Sequence, residues 1–177
     1  FTISQDTHNQ GLVKVSDTMD ETLRLINELT MADGKITGVS TGLSLVDNKL
    51  SGLQKSQLIL LAARPAMGKT ALGLTIAWNA AKENKSVAFF SLEMSTYQLN
   101  QRLLSMVSLV NLENIINGSI RDDDWELLIH ATKEIMQKNI YVDETPGITL
   151  SEMRSKLKRL KAEEGLDLVV IDYLQLM

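Results

Sequence analysis

Cysteine is absent from the 177 residues, which excludes disulfides and thiolate metal sites outright. Histidine is scarce: His8 and His130 stand far apart, without the spacing of metal ligands, and read as surface or partly buried side chains. No uninterrupted apolar stretch approaches the length of a membrane span, and the first residues lack a signal-peptide pattern, so the expected address is the cytoplasm. Nor is there an excess of positive charge. A formal net charge of −4 gives no bulk electrostatic footprint for nucleic acid. That counts only weakly against a DNA-binding role, since a basic channel can sit on an acidic protein. Internal repeats and low-complexity segments are missing too. What remains, 44% hydrophobic and 23% charged residues, is the composition of one globular α/β-sized domain with mass enough for a core.

The most informative feature present lies at residues 57–70. Gln57-Leu58-Ile59-Leu60-Leu61-Ala62 is an apolar run with the character of a strand. Ala63-Arg64-Pro65-Ala66-Met67-Gly68-Lys69-Thr70 follows it and leads through Ala71 into a helical pattern. Strand, tight turn, Gly-Lys-Thr and helix are the layout of a phosphate-binding loop. Backbone N–H groups of the turn and the first helical turn point at phosphate, where the helix dipole also favours negative charge. Gly68 permits close backbone approach, Lys69 brings a compact positive charge to the β- and γ-phosphates, and Thr70 offers a hydroxyl to Mg²⁺. One residue departs from the pattern: Ala63 stands where the first glycine belongs, and its methyl is costly only if the position needs a positive φ. The chain is expected to bind a nucleoside triphosphate through residues 63–71.

Around this loop the chain divides into a polar arm at 1–15, a linker helix at 16–33 and a domain at 34–177. Val15, Met19, Leu23, Ile26 and Leu29 form the helical stripe of the linker. Such a helix must bury its stripe, either on its own core or on a neighbouring subunit. Within the domain, a short helix through Leu43, Leu45, Val46 and Leu50 precedes the loop, and the helix after it runs to about Lys82 with Leu72, Ile76, Ala77 and Ala80 facing in. Strands are expected at 86–91, 140–143 and 166–172. Between them lie helices capped by Ser95 with Gln98, by Asp123 with Glu126, and by Thr149 with Glu152, and a short one ending at Asn117-Gly118. Strands alternating with helices predict an α/β fold with a mostly parallel sheet. Ligands of such sheets bind beyond the carboxyl ends of the strands, which puts the loop, the residues after Ser91, Asp143 and Asp172 on one edge.

Asp172 closes a buried apolar strand, and beside a phosphate loop its task is Mg²⁺. Hydrolysis also needs a group to orient or deprotonate water. The residue after Asp172 is Tyr173, so that group comes from elsewhere: Glu93, two residues past the strand at 86–91, or Asp143 or Glu144. Arg154, Lys156, Lys158, Arg159 and Lys161 make a basic cluster on one helix. They alternate with Met153, Leu157 and Leu160 and are flanked by glutamates, which favours a solvated outer face over a phosphate-tracking surface.

Three stretches, Ala62-Ala63-Arg64-Pro65-Ala66-Met67-Gly68-Lys69-Thr70, Phe90-Ser91-Leu92-Glu93-Met94-Ser95 and Val170-Ile171-Asp172-Tyr173-Leu174-Gln175-Leu176, resemble three motifs of the DnaB-type replicative DNA helicases in content, order and spacing. So does the lead-in from Thr41-Gly42-Leu43 to Asp47 and on to Ser51-Gly52-Leu53. The resemblance covers nearly the whole chain from about residue 15. It implies a RecA-like ATPase domain, helices on both faces of its sheet, preceded by a linker helix that packs on the adjacent protomer of a homohexameric ring. It implies ATP and Mg²⁺ as cofactors, and single-stranded DNA, primase and a helicase loader as partners. Carried over by position, Lys69 and Thr70 hold phosphates and Mg²⁺, Asp172 is the Walker B acid and Glu93 the catalytic glutamate. Gln98 and Arg102 match polar positions whose role stays open. The sensor glutamine, DNA-contacting loops and arginine finger of such helicases lie beyond the strand ending at Asp172. The chain, starting at Phe1 and stopping at Met177, therefore reads as a fragment, expected to bind nucleotide weakly or not at all and to hydrolyse it poorly. A finger contributes about 10³–10⁵ in rate. The expected function is an ATP-dependent helicase motor unwinding duplex at the replication fork. The alternatives are a RecA-type recombinase or other RecA-like ATPase, and a nucleotide-binding interaction module that does not translocate.

Overall fold

A computed structural model describes residues 12–31, 36–64 and 66–172. Most of the predicted arm, His8, Pro65 and residues 173–177 with Tyr173 lie outside the described residues. The elements are helices α1 (Met19–Met31), α2 (Ser44–Leu50), α3 (Lys69–Lys82), α4 (Thr96–Ser108), α5 (Leu112–Asn117), α6 (Asp122–Met136) and α7 (Leu150–Glu163), with strands β1 (Val87–Ser91), β2 (Ile140–Asp143) and β3 (Leu168–Asp172). Among the described residues no helix is long and apolar enough to cross a membrane.

The sheet is parallel, in the order β2-β1-β3. β1 is the central strand, and its sequence Val-Ala-Phe-Phe-Ser is buried throughout, as expected of a strand covered on both faces. Alternation sends its side chains to two cores. Val87 and Phe89 pack with Leu74, Ala77 and Trp78 of α3 and with Leu99 and Leu103 of α4. Ala88 and Phe90 face the opposite way, towards Ile148 and Met153, with Leu157 and Leu160 of α7 against them. Helices therefore cover both faces, and α7 turns its predicted apolar stripe to the sheet while Arg154, Lys158, Arg159 and Lys161 stay exposed.

Several local expectations differ from the structure. The buried stripe of α3 is Leu74, Ala77, Trp78 and Ala81 with Ala80, whereas Leu72 and Ile76 are half-buried. The helix is apolar nearly all round, so periodicity alone cannot choose its inner face. α6 is not capped by Asp123. Its N-cap is Arg121, whose guanidinium donates from Nε to Asp124 Oδ2 at 3.0 Å and from Nη2 to Oδ1 at 3.0 Å. The fork of the arginine binds a carboxylate in the first turn as a charge-assisted pair, and no side chain accepts from the first N–H groups of α6. The capping boxes at Ser95 with Gln98 and at Thr149 with Glu152 are both present.

The largest difference is at 57–62, expected as the strand before the phosphate loop. These residues are not in a strand, and Leu58 and Leu60 are 83% and 71% exposed. Composition gives a segment its strand propensity, but neighbours on the ladder make it a strand. Among the described strands β3 pairs with β1 alone, and none of the three pairs with residues 57–62. α1 is uncovered as well: Met19, Leu23, Ile26 and Leu29 are 45–59% exposed. Of the two fates open to that helix, folding back on the described core is not the one observed.

Candidate nucleotide site

The site assembles where α3 begins. Gly68 is the N-cap of α3 with φ 82°, a left-handed conformation that glycine adopts without a Cβ penalty. From there the helix starts directly with Lys69 and Thr70, both half-buried. The first intrahelical bond runs from the Leu72 N–H to the Gly68 carbonyl at 2.9 Å, leaving earlier N–H groups at the helix mouth. Ala63, Arg64, Ala66, Met67 and Ala71 are exposed around it. Positive φ occurs in this loop at Ala66 (63°) and Gly68, not at Ala63. The methyl at the place of the first glycine therefore carries no backbone strain here.

Thr70 joins this helix to the sheet. Its Oγ1 donates to Oδ2 of Asp172 at 2.5 Å, across 102 positions of sequence. Asp172, at the carboxyl end of β3, is 8% exposed. Hydroxyl and carboxylate thus meet at the N-terminus of α3, where the helix dipole favours anions and where hard oxygen donors suit a divalent cation.

Glu93 follows β1 on the adjacent strand. Ser91 pairs with Asp172, and the Leu92 N–H donates to the Asp172 carbonyl at 2.8 Å, so the ladder runs one residue beyond β1 before the turn. Glu93 is exposed on that turn, and Ser95 then opens α4.

The two competing carboxylates are committed elsewhere on the same edge. Asp143 ends β2 beside Phe90. It accepts from the Lys156 ammonium and from the Thr145 N–H at 2.9 Å. Burial would raise its pKa, but these donors outweigh burial and hold it below the usual aspartate range. Glu144 accepts from the Thr96 N–H at the start of α4, and that bond holds its pKa low. Gln98 serves the capping box, its Oε1 accepting from the Ser95 N–H at 3.1 Å, while Arg102 is exposed on α4.

One constellation has no assignment from the sequence beyond its place in the lead-in. Asp47 in α2 is 2% exposed. Its carboxylate accepts from Thr41 N–H and Oγ1 at 2.8 Å each, from Ser40 Oγ at 2.9 Å and from the Gly42 N–H at 3.1 Å. Burial works against the charge, yet the donors prevail and keep its pKa low. Asn79 of α3 donates from Nδ2 to the Thr41 carbonyl at 2.9 Å, fastening this loop to the helix that starts at Lys69. Gly42 has φ +73° and lies so close that a Cβ would stand 2.2 Å from Asn79 Nδ2. The available signal is an acid next to Val46 in sequence, shortly after Ser-Thr-Gly, a loop-and-helix unit that needs an acceptor at its centre.

Residues 38–177 match the family described as the DnaB-like helicase C terminal domain. The chain is 44% identical over 176 residues to the replicative DNA helicase DnaB of Geobacillus stearothermophilus, and 41% identical over 176 residues to the replicative DNA helicase DnaC of Bacillus subtilis strain 168. In both it aligns over 99% of its own length and 39% of the relative's, so it spans about two-fifths of these proteins. Among solved structures it resembles one described as an ATPase domain (TM-score 0.84, 32% identity, 90% of this chain and 57% of that one). It also resembles a DnaB-like replicative helicase described with its interactions with primase (TM-score 0.82, 31% identity, 94% and 40%). The three-stranded parallel sheet, helices on both faces and phosphate-loop helix joined to Asp172 agree with a RecA-like α/β ATPase fold. This chain belongs to the DnaB-like helicase C terminal domain family.

Proposed function

We propose that the protein is the ATP-driven motor of a replicative DNA helicase, working as a homohexameric ring on single-stranded DNA at the fork, in the cytoplasm, with primase among its partners. The observation that carries the reading is the meeting of Thr70 and Asp172 at the mouth of α3, with the Glu93 turn bonded to the same strand end. These residues suit ATP and Mg²⁺. The oxygen donors of Thr70 and Asp172 are of the hard kind that Mg²⁺ takes, and nothing lies within 4 Å of where a Cβ on Gly68 would stand. Gly68, Lys69 and the N–H groups of the first turn would hold the phosphates, and Thr70 and Asp172 the ion. The bound ion would supply neutralisation of charge on the transferred phosphoryl group. Glu93, exposed while Asp143 and Glu144 are engaged, would orient the attacking water and take its proton. The uncovered stripe of α1 supports a ring in which that helix docks on a neighbouring protomer.

The test is ATP hydrolysis with and without single-stranded DNA, on the full-length protein carrying this sequence. Stimulation by DNA that disappears in Lys69→Ala is the expected result. Hydrolysis indifferent to DNA, or nucleotide binding with no turnover, would replace the motor with a nucleotide-binding interaction module.

A further inference from the structure

The turn that carries Glu93 is closed by a side chain with no part in the chemistry described above. Ser91 ends β1 with 2% of its surface exposed. Its Oγ donates to the Met94 carbonyl at 2.7 Å and accepts from the Met94 N–H at 3.3 Å, so one hydroxyl engages both backbone groups of one residue. On the near side of the turn, the Leu92 N–H is held by the Asp172 carbonyl at 2.8 Å. Between that last rung and the Ser91 clasp lies Glu93 alone. Just past the clasp, the capping box fixes Ser95, and the Glu144 carboxylate receives the Thr96 N–H. Backbone restraints therefore flank Glu93 on both sides while its own side chain is exposed.

We propose that Ser91 is a positioning residue for hydrolysis: its hydroxyl locks the 92–94 turn and so fixes where the Glu93 carboxylate stands relative to Asp172. The proposal rests on Glu93 being the group that prepares the attacking water. The reason such a lock matters is geometric. A general base must lie within hydrogen-bond reach of the proton it takes, and a displacement of about 1 Å can cost about a hundredfold in rate. A turn without the clasp keeps the glutamate but lets it wander. Nucleotide binding, which draws on α3, has no need of the clasp.

The experiment compares Ser91→Ala, Ser91→Thr and Glu93→Gln in the full-length protein. It reads kcat and KM for ATP, the Kd of a non-hydrolysable ATP analogue, and the unfolding temperature. Ser91→Ala is expected to lower kcat about ten- to a hundredfold with analogue Kd unchanged; the two lost bonds to Met94 lower the unfolding temperature but leave the protein folded at the assay temperature. Ser91→Thr, which keeps the hydroxyl, is expected to restore most of the rate. Turnover at the wild-type rate in Ser91→Ala, with Glu93→Gln inactive, overturns the role of Ser91 and leaves Glu93 standing. Loss of rate in Ser91→Ala in step with weaker analogue binding, unrestored by Ser91→Thr, also overturns it, because the serine would then be structural only. Turnover surviving in Glu93→Gln overturns the underlying assignment of the base instead.

Discussion

The loop around Asp47 and the turn around Glu93 are both short and both built from side-chain-to-backbone hydrogen bonds, yet they use their acids in opposite ways. In the first, the carboxylate is the hub. Asp47 is buried and takes two backbone N–H groups and two hydroxyls, so its acceptor capacity is consumed inside the fold. In the second, the hub is a hydroxyl, that of Ser91, and the acid is left facing outward. A saturated buried carboxylate has no lone pair to offer a substrate and contributes to stability. An exposed carboxylate on a tightly held backbone contributes almost nothing to stability and has its acceptors available. On the proposed function, which acid does chemistry is decided by where the donors go, not by which acid lies nearer the phosphate loop in sequence.

The sharpest way to break this contrast is to neutralise each acid in turn. Glu93→Gln is expected to reduce ATP turnover by about 10²–10⁴, the usual contribution of a positioned base, while the unfolding temperature stays where it was. Asp47→Ala is expected to do the converse. It strands the Thr41 N–H and leaves the Gly42 N–H with Ser40 Oγ as its acceptor, and should lower unfolding free energy by about 1–3 kcal/mol, read from denaturant midpoints. A stability loss in Glu93→Gln as large as that in Asp47→Ala would dissolve the distinction.

A pH series sharpens the same contrast with a smaller effect. Asp47 has a folded pKa held below the usual value, which in an unfolded chain is about 3.9. Its stabilisation is therefore complete above that value and is lost as pH falls through the folded pKa. The stability gap between wild type and Asp47→Asn should stay constant from neutral pH to about pH 4 and narrow below it. A gap that narrowed around neutrality would mean that some other group supplies it.

Much of this is legible in the sequence, and the exceptions have physical causes. Gly68, Lys69 and Thr70 announce themselves because glycine, a cation and a hydroxyl in that order at a helix start are what a phosphate ligand asks for, a pattern contiguous in sequence. Ser95 with Gln98 and Thr149 with Glu152 are equally local, as capping boxes depend on neighbours three residues away. Asp47 is harder to read, since its donors matter only once the loop has folded over it and Asn79 has arrived from α3. The inner face of α3 and the start of α6 mislead for kindred reasons: one helix has no polar side to betray its orientation, and the other begins with an arginine fork that resembles no cap. Residues 57–62 show the limit of composition most clearly. Their side chains favour a strand, and strandhood belongs to the hydrogen bonds of a partner.

The smallest effect concerns Asp143, which shares the carboxyl edge with Glu93 but is held by Lys156 and Thr145. The Lys156 side chain is 40% exposed and that of Asp143 21%. Solvent therefore screens the pair, and its removal in Lys156→Met should cost less than about 1 kcal/mol. The more telling consequence is electrostatic. With the ammonium gone, burial works on Asp143 against fewer donors, and its pKa should rise back towards the ordinary range, a shift measurable by NMR titration of the carboxyl group. Turnover in Asp143→Asn should remain within about twofold of wild type, well short of the roughly 10²–10⁴ loss expected at a base. A loss at Asp143 comparable to that at Glu93 would mean that an acid bound by its own lysine can still serve as the base, and the rule drawn from Asp47 would fail on the one edge where it matters most.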